Sequence, residues 1–375
     1  MPRGPISAGD TGFYNPAMAG PRTRSVLLLA DALEHGWLNR SESKLRVLES
    51  LCSTGIRSRR WVNEIPEKLL QKTIITANDR DEKAIEWAKK YDENTVINWS
   101  QEDARILMHR ESFQWIDIDP FGSPITFIDS AIQSLPRVGM LEITATDTAA
   151  LCGSALDAGK RRYGSIGLND SYRHDDAIRI LLATVAKAAA RHDRTIEPIL
   201  SLFDGHHLRV SVRVRKSRKK ASQVGDMIGW RHRDEAATLS LEKSELCSGP
   251  LWIGPLCDAE IAGRITEEKA LQLCGADEEI MPEYWTDNDL ELSHREIIRS
   301  VKFISDSADL MSRGHLFMPI DMLPKLAGLL GPPAMNRLIE ALNIAGHCAA
   351  RGPYMDPTIL TDASLDELIS VAQKL

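Results

Sequence analysis

Between residues 44 and 147, short apolar runs alternate with helical patterns, and this alternation restricts the possible folds more than any other feature of the chain. Lys44–Ser50 and Thr73–Asp79 read as buried strands bounded by polar residues. Ile56–Ile65 lies between them as a helix that stops before Pro66. Asp81–Asn94 follows, with Ala84, Ile85, Ala88 and Tyr91 at a three-to-four spacing on one side. Phe113–Pro120 predicts a further strand, Ile125–Leu135 a helix, and Gly139–Asp147 another strand. Strands separated by helices pair in parallel and have both faces covered, which places this segment in the α/β class.

The Ala- and Leu-rich stretch Asp176–Ala190 predicts a long helix. Thr195–Phe203 and His207–Arg215 come next, and in the second Leu208, Val210, Val212 and Val214 alternate with polar residues. They are expected to close the parallel sheet as an antiparallel pair. Residues 221–250 are polar with weak periodicity, and Gly249–Leu256 (GPLWIGPL) reads as a Gly/Pro-punctuated apolar loop. From about residue 258 the chain is helical and acid-rich, with Pro324–Leu330 and Asn336–Ala345 as packed helices. The expected division is therefore a first domain over 1–256 and a smaller one over 257–375.

Composition narrows the function. The chain has 46 basic and 53 acidic residues, a net charge of −7, which excludes a wholesale polycation but not a local basic surface. An apolar share of 43% is that of a folded chain. No run approaches the roughly 18 apolar residues of a membrane span, and the polar start MPRGPISAGD has no secretion-signal core. A cytoplasmic protein without membrane attachment is expected. The six cysteines include no C-x-x-C pair, so free thiols are expected, with neither a disulfide framework nor a zinc site.

In a parallel sheet, ligands bind beyond the carboxyl ends of the strands, so those ends carry the candidate chemistry. The first strand runs into Glu49-Ser50-Leu51-Cys52-Ser53-Thr54-Gly55-Ile56-Arg57, an acid followed by small residues and a helix start. Such a loop can cradle a nucleotide-type cofactor, or be an ordinary βα turn. Its single glycine does not make a G-x-G-x-x-G fingerprint, which disfavours a dinucleotide. The second strand ends at Asp79, a carboxylate placed either to accept from two ribose hydroxyls or to cap the next helix. Glu102-Asp103-Ala104 can face an adenine amino group, with Ala104 leaving room for the ring, or lie in a solvated loop.

The strongest local signal is Asp117-Ile118-Asp119-Pro120-Phe121-Gly122. Asp117 and Asp119 share a strand face, Pro120 turns the chain out of the sheet, and Phe121 offers a ring on which a base can stack. Acid-Pro-aromatic at this place suits methylation of an exocyclic amine, that of adenine in RNA or DNA included, or marks a plain strand-to-turn boundary. The lone pair of that nitrogen is delocalised into the ring, so acceptors must draw on its N–H bonds while an acid relieves it of a proton. Arg209–Lys220 adds seven basic residues and no acid, a density that favours phosphate contact.

Taken in order, Phe13–Arg22, Glu49–Arg57, Ala77–Asp79, Glu102–Ala104, Asp117–Pro124 and Thr146–Ser154 resemble the motifs of the tRNA (guanine-26-N2) dimethyltransferases. Arg161–Ser165, His174–Leu182, Arg209–Val214, GPLWIGPL and Gly346–Ala363 fit the same pattern, so the resemblance covers nearly the whole chain. It implies a class I, Rossmann-like methyltransferase fold, with a mostly parallel seven-stranded sheet ending in an antiparallel hairpin, and a smaller C-terminal α+β domain. It implies S-adenosyl-L-methionine as cofactor and tRNA as partner, with guanine 26 at the junction of the D and anticodon stems receiving two methyl groups on its 2-amino nitrogen. No obligate protein partner is implied.

The resemblance assigns Arg22 and Arg57 to the cofactor, Asp79 to its ribose, and Asp103 and Ala104 to its adenine. Asp119 would be the catalytic acceptor in the Asp119-Pro120-Phe121 turn, and Phe13 and Phe121 would be walls for base or cofactor. The chain departs from the family pattern in three places. Arg22 is flanked by Pro21 and Thr23 where the family reads Asn-Arg-Asp. The zinc-binding cysteines of some members are absent between 215 and 250, so no metal is expected. Arg351-Gly352-Pro353-Tyr354 replaces an Arg-Thr-His-type motif.

Overall fold

The computed structural model describes residues 15, 18–38, 43–92, 96–276, 286–353 and 357–375. Seven strands form the principal sheet: β1 (Leu45–Glu49), β2 (Thr73–Asn78), β3 (Asn98–Ser100), β4 (Trp115–Ile118), β5 (Val138–Ala145), β6 (Arg194–Phe203) and β7 (Leu208–Lys216). Their order is β3-β2-β1-β4-β5-β7-β6. Pairings among β1 to β5 are parallel and β6 pairs with β7 antiparallel, as the periodicity predicts. The order reverses at β1, where the chain crosses over β2 and β3 to place β4 on the other side. The crevice for a ligand opens at such a reversal, beyond the ends of β1 and β4.

Contacts group the chain into two compact units, one of the described residues in 1–120, 127–143 and 264–302, the other of 121–126, 144–263 and 303–375. In the first, the helix Ala19–His35 is buried over most of its length, Arg22, Thr23, Arg24 and Ser25 included. Polar links tie it to the 264–302 segment, Lys269 to Glu34 at 3.2 Å among them. Arg24 Nη1 donates to the Ser300 carbonyl at 2.7 Å, and Arg264 Nε lies 2.7 Å from Asp31 Oδ1. The sequence gives no amphipathic stripe for this helix, because its polar flank is buried as well.

In the second unit the long helix is Arg173–Arg191, and its fully buried Arg179 acts as a hub. Its guanidinium donates to Asp175 at 2.6 Å and to the carbonyls of Trp252 at 3.1 Å and Gly314 at 2.9 Å. Residues 221–250, read as weakly periodic, contain most of a small sheet of β8 (Ile228–His232), β9 (Leu239–Ser240) and β10 (Cys247–Trp252). The apolar loop expected at 249–256 thus begins as the end of β10, with Leu251 and Trp252 buried. Near the C-terminus β11 (Met318–Pro319), β12 (Ala349–Arg351) and β13 (Thr358–Thr361) form a third sheet around Leu323, Leu338, Leu342 and Ile359.

The turn between β1 and the helix Ile56–Glu64 depends on Gly55, which caps that helix with φ of 64°. A methyl group there would lie 2.5 Å from the Trp99 ring as well as strain the backbone. Gly55→Ala is therefore expected to cost about 2–4 kcal/mol. Urea unfolding of the variant against the parent protein measures this, and an unchanged midpoint would contradict the geometry.

Candidate active site

The carboxyl ends of β1 and β4 carry a row of acids. The parallel register places Glu49 beside Asp117, and Asp117 beside Glu142 of β5. All three are buried, at a cost that partners must offset. Arg57, on the first turn of the helix after β1, supplies most of that offset. Its side chain is 1% exposed, with Nε 3.8 Å from Glu49 Oε1 and 3.3 Å from Asp117 Oδ1. Its Nη2 donates to Asp119 Oδ2 at 2.6 Å, a charge-assisted bond. The strand face predicted for Asp117 and Asp119 thus converges on one guanidinium. At the other end of the row, Glu142 Oε2 accepts from Ser25 Oγ at 2.5 Å and Trp115 Nε1 at 3.2 Å.

Glu49 is buried and turned onto Ser58. Its Oε2 accepts from the Ser58 amide at 2.9 Å and the Ser58 hydroxyl at 2.5 Å. Burial nevertheless pushes its pKa up to about 7, against the opposing pull of Arg57 and Ser58. The acid is therefore partly protonated at neutral pH, which reduces the negative charge around Arg57.

Two side chains at the end of β2 brace the loops. Buried Asn78 donates Nδ2 to the carbonyls of Ser50 at 3.0 Å and Glu102 at 3.1 Å, and its Oδ1 accepts from the Glu102 amide at 3.2 Å. Asp79 accepts from the Ser53 amide at 2.8 Å and the Asp81 amide at 3.0 Å. The cap of the next helix is Asp81, whose side chain accepts from the Lys83 amide, so Asp79 is not that helix's cap. The β1, β2 and β3 loops are held together by an amide and a carboxylate one residue apart. Nothing in the residue pattern distinguished Asn78 in advance.

The other predicted site residues are placed as follows. Asp103 is the N-cap of the helix Ala104–Arg110, and its carboxylate also binds the Arg105 side chain at 2.6 Å. That bond lowers its pKa to about 2. Ala104 is buried in the first turn behind it. Arg22 donates Nη1 to the Asn15 carbonyl at 3.1 Å. Phe121, beyond Pro120, is 77% exposed, as a stacking face requires. Phe13 and Tyr354 lie outside the described residues.

The basic run divides into internal and exposed cations. Arg209 is buried and donates to Thr144 Oγ1 at 2.7 Å, while Arg213 and Arg215 both donate to Glu197, at 2.7 and 2.8 Å. Lys216, Arg218, Lys219 and Lys220 are the exposed cations of the seven. The alternation of β7 turned three arginines into internal partners.

The residues present fit an S-adenosyl-L-methionine-type ligand in their donor set. Asp79, at the end of β2, retains a second lone pair on each oxygen for vicinal hydroxyls. Arg57 Nη1 is buried without a hydrogen-bond partner among the described residues, a donor suited to a carboxylate. Among the described residues no group of three or more His, Cys, Asp or Glu is arranged to hold a metal ion. No described helix is long and apolar enough to cross a membrane.

The raised pKa of Glu49 has a consequence for stability. The fold prefers the protonated acid, so this contribution is complete below the ordinary carboxyl range and is lost as pH rises through about 7. Glu49→Gln is expected to remove that loss, which is on the order of 3 kcal/mol at most. Urea unfolding at pH 5 and pH 8 tests this; an equal pH dependence in the variant would contradict it.

Comparison with known proteins bears on this geometry. The family described as N2,N2-dimethylguanosine tRNA methyltransferase matches residues 5–373. A tRNA (guanine(26)-N(2))-dimethyltransferase of Pyrococcus furiosus is 31% identical over 389 residues, covering 96% of this chain and 92% of that protein. Its counterpart in Pyrobaculum aerophilum is 36% identical over 263 residues, covering 68% of each. The solved complex of Trm1 from Pyrococcus horikoshii with S-adenosyl-L-methionine superposes with a TM-score of 0.76 at 27% identity, covering 97% of this chain and 95% of that one. The chain belongs to the N2,N2-dimethylguanosine tRNA methyltransferase family.

Proposed function

We propose that this chain is an S-adenosyl-L-methionine-dependent tRNA methyltransferase that places two methyl groups on the 2-amino nitrogen of guanine 26, giving N2,N2-dimethylguanosine. One observation carries the reading: a carboxylate, Asp119, is held at the end of β4 by a buried arginine, and rigid Pro120 and exposed Phe121 follow it.

The cofactor, when bound, would supply an electrophilic methyl group, its carbon–sulfur bond breaking so that the neutral thioether leaves. Asp79 accepts from the ribose hydroxyls, and Asp103 and Ala104 flank the adenine. Arg22 and Arg57 Nη1, which has no hydrogen-bond partner among the described residues, would hold the cofactor's carboxylate, while Arg57 Nη2 is committed to Asp119. Guanine leaves its stack at a cost of a few kcal/mol, part of which Phe121 returns by stacking. Asp119 accepts an N–H of the amine and takes that proton as the nitrogen–carbon bond forms, then releases it to solvent. The monomethylated amine keeps one hydrogen, so the same acceptor serves a second transfer. Lys216, Arg218, Lys219 and Lys220, with residues 257–375, are assigned to the tRNA, and the reaction to the cytoplasm.

Two variants separate chemistry from binding. Asp119→Asn keeps shape and loses the proton acceptor, so methylation of unmodified tRNA, followed by mass spectrometry of its nucleosides, is expected to fall by about a hundredfold or more. Cofactor affinity by calorimetry should be retained, and near-normal turnover would overturn the assignment. Asp79→Ala is expected to weaken cofactor binding by about tenfold or more. An unchanged affinity would remove Asp79 from the site.

A further inference from the structure

Three side chains around the turn after Pro120 form a hydrogen-bond chain that the reaction above does not use. Tyr163 Oη donates to Asp147 Oδ1 at 2.6 Å, and Ser123 Oγ lies 2.9 Å from the same phenol oxygen. Arg162 Nη1 holds the other Asp147 oxygen at 3.1 Å. Tyr163 is buried, whereas Ser123 is partly exposed. The turn itself is fixed by two further bonds. The Gly122 amide donates to Thr146 Oγ1 at 2.7 Å, and the Thr146 amide donates to the Gly122 carbonyl at 2.9 Å.

The directions of these bonds follow from the inventory of donors and acceptors. An ionised carboxylate only accepts, so the single hydrogen of the phenol is committed to Asp147. The phenol oxygen can then only accept, and the hydrogen it accepts is that of Ser123. With its one hydrogen spent, Ser123 Oγ presents lone pairs alone to anything that approaches the turn. Burial and the bond to Asp147 both raise the Tyr163 pKa far above the ordinary phenol range, so the phenol does not lose its hydrogen at working pH.

We propose that Ser123 is a specificity-determining residue whose Oγ, fixed as an acceptor by Tyr163 and Asp147, accepts the N1–H of the target guanine. The assignment rests on the guanine reading above and deepens it. On the Watson–Crick edge of guanine the 2-amino group and N1–H are adjacent donors, and the sequence supplies two acceptors four residues apart, Asp119 and Ser123. A base with a lone pair at N1, such as adenine, would set lone pair against lone pair there, and a buried polar mismatch discriminates strongly. Tyr163 acts through Ser123 and is a positioning residue.

The test compares tRNA transcripts carrying guanine or 2-aminopurine at position 26. Both bases have the 2-amino group, but 2-aminopurine has a lone pair at N1. The readout is the ratio of kcat/KM for the two transcripts. The parent protein is expected to favour guanine, and Ser123→Ala and Tyr163→Phe are each expected to reduce that ratio by about tenfold, with cofactor affinity unchanged. The double variant should match Ser123→Ala alone, since both changes cut one chain. A ratio that Ser123→Ala leaves unaltered overturns this assignment while the guanine reading stands. A parent protein that methylates neither transcript overturns the guanine reading itself. Ser123 lies on the turn surface, so its variant keeps the test decisive if Tyr163→Phe fails to fold.

Discussion

Arg57 is almost fully removed from water, and the carboxylates of Glu49, Asp117 and Asp119 converge on it. Burying a guanidinium costs several kcal/mol unless its partners are close and well aligned, and the same holds for each acid. Neither side is tolerable alone, so the helix after β1 and the ends of β1 and β4 are mutually dependent. The arginine has one full charge to divide among three acids. Glu49 relieves part of the imbalance by holding its proton up to about pH 7. What remains is directed at Asp119, the shortest of the three contacts and the acid with the greatest exposure, 20% against 7% and 1%.

The loops around this centre are held by few groups, each used several times. Asn78 reaches both the β1 and β3 loops, and Asp79 adds the Ser53 amide. Ser50 closes the β1 loop onto β4, its amide and hydroxyl both donating to the Asp117 carbonyl at 3.0 and 2.6 Å. Backbone groups in loops are ordinarily left to solvent, where they confer no rigidity. Here a buried amide substitutes for solvent, and three strand ends behave as one surface.

Much of this was legible in the residue pattern, for identifiable reasons. The strands and helices of 44–147 were readable because their burial repeats with the period of the element that carries them. Asp79, Asp119 and Phe121 stood out because polar or exposed aromatic groups at strand ends have few structural uses. The helix Ala19–His35 was not readable, since Arg22, Thr23, Arg24 and Ser25 are buried through long-range contacts that no local period records. The sheet of β8, β9 and β10 was missed because its short strands carry mixed burial, as in the alternating Ile228–His232. The run at 209–220 was legible only in part: its charge density favours phosphate contact, yet Glu197, 16 and 18 residues away in sequence, accepts from Arg213 and Arg215. Asp147 and Tyr163 fall within the motif stretches Thr146–Ser154 and Arg161–Ser165, but neither stretch alone reveals the bond between them.

The chemistry explains why the site is built for rigidity. An exocyclic amine conjugated with its ring is a poor nucleophile, and its hydrogens become acidic only as the bond to carbon forms. A strong base in the resting site is therefore of little use; an acceptor already aimed at the nitrogen gains strength as charge develops there, without reorganisation. Aim is what the surrounding residues provide: Pro120 limits the backbone after Asp119, Arg57 holds its carboxylate, and Thr146 fixes the following turn. A second methyl transfer to the same nitrogen makes this requirement stricter, because the bulkier amine must return to the acceptor with only one hydrogen left to present. An acceptor that wandered could serve the first transfer through either hydrogen; only a fixed one serves the second.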